Sequence, residues 1–306
     1  MRLQDRLTTN THVEAEALPR STRRRFLKYL SVGAASTALV SGAQALSPVA
    51  ALAATQQGAT SIAQFTPTGS SSGVNVVLVH GIWADGSSYS RVIPRLLDAG
   101  HTVFAVQLPL TTHLQDDVTA TLGVLQQLQG PTVLVGHSYG GAVITNAGAG
   151  HPNVIGLVYA SAFAPALGEV LGQFPPGPGT ANLYPVTYPN NFGTFLFLNQ
   201  QKFRESFAQD VDPRQASIMA TVQKPGNVAL LGDKTTAVAW ENLPTWYLIS
   251  TNDRMIPPSV QQMFASRMKA TTISVRSSHA SIVSHPQEVF EQIQAAAKVG
   301  ATRKEA

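Results

Sequence analysis

Cysteine is absent from this chain of 306 residues. That absence excludes disulfides, thiolate nucleophiles and cysteine-based metal sites. Charge is scarce as well: 12% of residues are charged against 44% hydrophobic, so a sizeable core is available. Most of the chain also lacks any surplus of one sign. Residues 1–53 hold seven basic residues (Arg2, Arg6, Arg20, Arg23, Arg24, Arg25, Lys28) and three acidic ones (Asp5, Glu14, Glu16). The rest carries 14 of each and is formally neutral, so the whole net charge of +4 sits at the start. A basic face for nucleic acid is not supported. Gly136, Gly140 and Gly141 lack the G-x-G-x-x-G spacing, and no metal-ligand cluster is visible. Neither a cofactor nor a metal is therefore expected. Beyond residue 53 no apolar run is long enough to span a bilayer.

The early charge has a specific pattern. Thr22-Arg23-Arg24-Arg25-Phe26-Leu27-Lys28 resembles a twin-arginine export signal, and a small-residue apolar stretch follows to about residue 50. Ala51-Leu52-Ala53 offers an A-x-A cleavage site, with Ala43-Gln44-Ala45 as a weaker alternative. A membrane anchor is the competing reading. Gly33, Gly42, Gln44 and Pro48 interrupt the stretch and make it a poor spanning helix. A removed signal at 1–53 is thus expected, with the twin-arginine machinery as partner of the precursor. The mature protein is then periplasmic or secreted, without stable membrane association. Export by this route implies folding before crossing.

Residues 54–73 are rich in Ser, Thr, Gly and Gln and read as a loose leader. Apolar strands and amphipathic helices then alternate over 74–300. Strands are expected at 74–79, 102–106, 132–135, 154–160, 245–250 and 271–275. Helices are expected at 89–99, 114–129, 140–149, 257–269 and 285–298. This alternation predicts an α/β fold: a mostly parallel sheet of about six strands with helices on both faces. Residues 165–240 break the rhythm. The stretch 174–191 is dense in Pro, Gly, Tyr and Asn, and 192–223 reads as short helices. An inserted cap over the C-terminal edge of the sheet is expected there, where such sheets bind ligands.

The most informative stretch is Val133-Leu134-Val135-Gly136-His137-Ser138-Tyr139-Gly140-Gly141. It reads as a buried strand ending in a Gly-x-Ser-x-Gly turn that opens a helix. A serine on so sharp a turn leaves little room, which Gly136 and Gly140 relieve. The turn lifts the Ser138 hydroxyl above the sheet edge, and the helix N-terminus suits an oxyanion.

Serine needs a base, and the imidazole needs an orienting acid, in the chain order Ser, acid, His. His279 follows the strand at 271–275, on the same edge as Ser138. His285 precedes Pro286 at a helix start, and His151 lies at the opposite edge. Asp253 follows the strand at 245–250 and is the favoured acid. Its competing reading is a helix cap or a partner of Arg254, and Asp233 is the weaker rival. Asp116 and Asp117 are expected to stabilise the start of their helix. The expected oxyanion donors are the backbone N–H groups of Tyr139 and Ile82, with Gly81 allowing close approach and His80 bonding within its loop. Trp83, Phe163 and Phe195 are candidate pocket residues. Phe192, Phe197, Phe203, Phe207, Tyr184 and Tyr188 either line the pocket too or pack the cap onto the sheet.

These motifs carry a resemblance. Val79-His80-Gly81-Ile82-Trp83-Ala84-Asp85-Gly86, the nucleophile turn, Asn252-Asp253-Arg254-Met255-Ile256-Pro257-Pro258 and Ser277-Ser278-His279-Ala280 resemble the α/β-hydrolase superfamily. The match is most similar to its compact capped branch of bacterial esterases and plant methylesterases and hydroxynitrile lyases. It implies hydrolysis of the ester of a small to medium apolar molecule through an acyl-enzyme. Lactone or amide hydrolysis and acyl transfer by the same triad stay open, as does a non-catalytic binding protein. Lyase members carry lysine directly after the histidine. Ala280 stands there in this chain and counts against cyanohydrin cleavage.

Overall fold

The computed structural model describes residues 73–303, and side chains through residue 299. The expected export signal at 1–53, and the leader through residue 72, lie outside the described residues. The strands are β1 (Asn75–Val79), β2 (Thr102–Val106), β3 (Thr132–His137), β4 (Val154–Ala160), β5 (Leu183–Tyr188), β6 (Gly193–Leu198), β7 (Gly226–Asn227), β8 (Thr245–Ser250) and β9 (Thr271–Val275). The α-helices are α1 (Ile93–Asp98), α2 (Leu114–Leu125), α3 (Gly140–Ala147), α4 (Phe203–Phe207), α5 (Pro213–Val222), α6 (Pro258–Arg267), α7 (Ser281–Ser284) and α8 (Pro286–Arg303).

Six strands form one sheet in the order β2-β1-β3-β4-β8-β9, and every pairing is parallel. Continuous apolar runs make physical sense in such a sheet, because alternate residues are buried on opposite faces. Val77, Val79, Leu134, Leu157, Tyr159 and Ile249 join one core with α2, α3 and α6. Val76, Leu78, Val133, Val135, Val158 and Leu248 join the other with α1 and α8, and with Phe203, Phe207 and Ala216 of α4 and α5. All six residues of β3 are buried, whereas edge strand β9 is half open. Ser138 therefore directly follows a fully buried strand.

Two helices depart from expectation. The span 89–99 divides into a 3-10 turn (Gly86–Tyr89) and α1, whose second residue is Pro94. The helix expected from His285 is α8, which Pro286 starts, and the short α7 just before it was not expected. Proline supplies no N–H and suits a helix start, so each break falls next to one.

The larger correction lies in 192–223. Phe192 closes a turn and Gly193–Leu198 is a strand, β6, pairing antiparallel with β5 and β7. Only α4 and α5 within that range are α-helical. Asn190 and Asn191 adopt left-handed φ of 58° and 57°, which turns the chain back into a hairpin. Aromatic and β-branched pairs then face each other, Tyr184 opposite Phe197 and Val186 opposite Phe195. Such pairs favour strands over helices.

At the end of β3 the backbone is crowded. A Cβ on Gly136 would stand 2.7 Å from both Gly140 O and Gly141 N. Gly136→Ala is therefore expected to destabilise the protein by about 1–3 kcal/mol, read as a lower urea midpoint. A midpoint equal to wild type would show that the turn is not packed this way.

Candidate active site

Ser138, His279 and Asp253 come from three loops at the C-terminal edge of the parallel sheet, after β3, β9 and β8. All three are buried. Ser138 holds a left-handed φ of 56°, a costly conformation for a residue with a side chain. The turn is held by several bonds. Ser138 N–H donates to Ala160 O, and Ser138 O accepts from Gly141 N–H (3.1 Å) and Phe163 N–H (3.0 Å). Gly81 lies directly above: a Cβ there would be 2.6 Å from Ser138 Cβ and 3.1 Å from Oγ.

One hydrogen-bond chain joins the three side chains. Ser138 Oγ is 2.8 Å from His279 Nε2, and His279 Nδ1 is 2.7 Å from Asp253 Oδ2. The carboxylate is fully engaged. Its Oδ1 accepts from Met255 N–H (2.7 Å) and Ile256 N–H (3.0 Å), and its Oδ2 also accepts from Gln261 Nε2 (2.8 Å). Asp253 thus receives the N–H groups of the loop ahead of α6 and also faces the imidazole, whereas α6 itself starts after Pro257 without a side-chain cap. Arg254 reaches instead toward Glu205, at 4.0 Å. Asp233 is elsewhere: its carboxylate accepts from Leu114 N–H at the start of α2. His151 sits beyond α3, before β4, at the opposite edge.

Two further histidines set the backbone around this chain. His80 Nδ1–H donates to Gly81 O (2.8 Å), and its Nε2 accepts from Leu108 N–H (3.0 Å). Gly81 O and Ile82 N–H belong to one planar peptide, so holding the carbonyl aims the N–H. His137 Nε2–H donates to His279 O (2.8 Å) and anchors the histidine loop. Phe207 packs edge-on against the His279 ring, with centroids 4.8 Å apart. Neither Ile82 N–H nor Tyr139 N–H donates to a protein acceptor among the described residues. Both expected oxyanion donors are therefore open.

A cavity beside Ser138 is lined by Ile82, Trp83, Phe163, Leu171, Phe174 and Met255, among others. No charged side chain lines it; Thr180 adds a hydroxyl. Trp83 both lines the cavity and is fixed, its Nε1–H donating to Leu196 O (2.8 Å). Phe195 does not reach it. That residue packs against Tyr188 and Phe192 on the hairpin, because the alternation of β6 carries it into the aromatic cluster there. The other cap aromatics named from sequence are likewise not lining residues. Leu171 and Phe174 were missed by sequence reading. Their only signal was position, in the Pro-rich loop just past β4 where ligands gather. Gln261 was missed because an amide on a helix has no pattern of its own. Among the described residues no group of three or more His, Asp or Glu could hold a metal ion. No helix there is long and apolar enough to cross a membrane.

The comparisons agree with this architecture. Residues 76–292 match the model of the alpha/beta hydrolase family, and the chain belongs to that family. A pyrethroid hydrolase of Sphingobium wenxiniae is 27% identical over 243 residues, covering 72% of this chain and 86% of that one. Among solved structures, a pyrethroid hydrolase from Sphingobium faniae superposes with a TM-score of 0.64 at 24% identity, covering 75% of this chain and 99% of the other. Polyneuridine aldehyde esterase gives 0.65 at 21% identity, covering 73% and 98%. At these identities the two structures speak for the fold.

The buried histidines bear on acid stability. Burial pushes His80 down to about 4, against its bond to Gly81. Burial, with the neighbouring His279, pushes His137 down to about 3. Both are neutral when folded, whereas an unfolded histidine titrates near 6.5. Below that value the unfolded chain binds more protons, so stability is full above about pH 6.5 and falls as pH drops toward 4 and 3. Each group contributes a slope of about 1.4 kcal/mol per pH unit. Urea unfolding at pH 7, 6 and 5 should show this loss, with a shallower slope in His80→Asn. Identical slopes would contradict it.

Proposed function

We propose that this protein is a serine hydrolase that cleaves the carboxylic ester of a small to medium, uncharged substrate through an acyl-enzyme. The observation that carries the reading is the unbroken chain from Ser138 Oγ through His279 to Asp253, at 2.8 and 2.7 Å. Asp253 accepts a hydrogen bond from Nδ1–H, which keeps the proton on Nδ1 and leaves Nε2 free to act as base. His279 takes the Ser138 proton as Oγ attacks the ester carbonyl. The carbonyl oxygen becomes the oxyanion, met by Ile82 N–H and Tyr139 N–H. His279 returns the proton to the leaving alcohol. Water, activated by the same imidazole, then releases the acid and restores Ser138.

The cavity supports the substrate class. Apolar walls with no charged lining group would leave a charged substrate desolvated and unpaired. The names of the relatives point the same way: one is a hydrolase of pyrethroids, and one fold neighbour is an esterase. The export reading rests on sequence alone, on the pair within Arg23-Arg24-Arg25 and the apolar stretch behind it.

Ser138→Ala is expected to reduce turnover of an uncharged ester by roughly 10⁴ to 10⁶. Intact mass after exposure to a fluorophosphonate should show one adduct on wild type and none on the variant. A panel of esters, lactones and amides, charged and uncharged, then reads the bond and the pocket. Equal turnover by Ser138→Ala would refute the mechanism, and preference for charged esters would refute the substrate class.

A further inference from the structure

Asp117 is expected from sequence to favour the start of its helix. Its neighbour Asp116 does that, with Oδ2 accepting from His113 N–H (3.1 Å). Asp117 turns inward instead and is fully buried. A buried carboxylate is costly unless hydrogen bonds satisfy it. Its partners are Leu110 N–H, at 2.8 Å from Oδ1, and the Tyr139 hydroxyl, at 2.6 Å from Oδ2. Tyr139 follows the nucleophile, and its side chain is 1% exposed.

The peptide between Ser138 and Tyr139 carries one of the two open N–H groups. It is planar, so three anchors define where that N–H points. Gly141 N–H and Phe163 N–H hold its carbonyl oxygen. The left-handed Ser138 backbone, tied to Ala160 O, holds its first Cα. The second Cα is that of Tyr139, and the buried ring with its hydroxyl on Asp117 holds it. Asp117 in turn is tied to Leu110, itself at a left-handed φ of 57°, whose carbonyl accepts from Asn227 N–H of β7.

We infer that Asp117 is a positioning residue for the oxyanion hole, acting through the Tyr139 hydroxyl on the Tyr139 N–H. This rests on the serine-hydrolase reading. The chemistry it serves is charge development on the carbonyl oxygen. A donor off its line by a fraction of an ångström weakens the transition state more than the bound ester.

The test is a cycle of Tyr139→Phe, Asp117→Ala and the double variant, with kcat and KM on one uncharged ester and the rate of fluorophosphonate labelling. Tyr139→Phe deletes only the hydroxyl. Each single variant should lower kcat by about 10–100-fold, below the 10²–10³ of a deleted donor. KM should stay within about twofold, and labelling should slow in parallel. The double variant should be no worse than Asp117→Ala, since both act through one bond. Wild-type kcat in Tyr139→Phe, or losses that multiply in the double variant, would overturn the inference while leaving the hydrolase reading intact. If Asp117→Ala does not fold, Tyr139→Phe alone decides. A wild type that neither turns over ester nor takes the label would overturn both.

Discussion

Everything at this site hangs on one constrained turn, the left-handed Ser138 between β3 and α3. A strand that is buried on both faces must stop abruptly and start a helix with no intervening loop. The chain can do so only with a strained serine and with backbone where side chains would otherwise be. Gly136 accepts the approach of the first helical turn, and Gly81 accepts the approach of Ser138 itself. The strain is held by bonds from neighbours on both sides, Ala160 at the end of β4, Phe163 after it and Gly141 in the helix. The sheet therefore does more than carry Ser138. Its register delivers the partners that keep a sparsely populated conformation occupied.

A second layer is built from polar groups hidden in an apolar interior. Asp253 has four donors, and the Gln261 amide that supplies one of them also accepts from Ser250 N–H. His80 and His137 are buried neutral, the first holding the carbonyl of Gly81 beside Ser138 and the second that of His279 itself. A hydrogen-bonded network of this kind rigidifies, because any one loss strands a buried partner. That logic explains why the supporting groups are mostly amides, imidazoles and hydroxyls. Apart from the carboxylates of Asp253 and Asp117, they direct backbone and side chains without adding net charge to the site.

The parts legible in the sequence are those set by local pattern. Apolar runs bounded by turns located β4 and β8 at their observed limits, because buried strands carry a continuous signal. Ser138, Asp253 and His279 could be singled out by chain order and strand ends, and the structure brings them within hydrogen-bond reach. What escaped depends on long-range contact. The residues of β6 read as helix from sequence, and those of β5 only as a Pro- and Gly-rich stretch, although Asn190-Asn191-Phe192-Gly193 carries a turn signal. Phe195 was placed by residue type, but its side of β6 decides its neighbours. Gln261 and Asp117 look like ordinary surface-helix residues until the fold turns them inward.

The inserted segment 165–240 brings apolar walls to the same site as the proposed charged intermediate. Lys224, in the segment leading to β7, accepts Trp83 N–H at its carbonyl and donates from Nζ to Leu108 O. Leu108 N–H in turn donates to His80. The cap is thus stitched to the same loop that carries Ile82 N–H. An apolar cover excludes water, and the few remaining dipoles act more strongly in its absence. The benefit exists only if those dipoles are already aimed when the cover is in place. Tying the cover and the donor loop into one hydrogen-bonded unit meets that condition, because the arrangement that excludes water also aligns the donor.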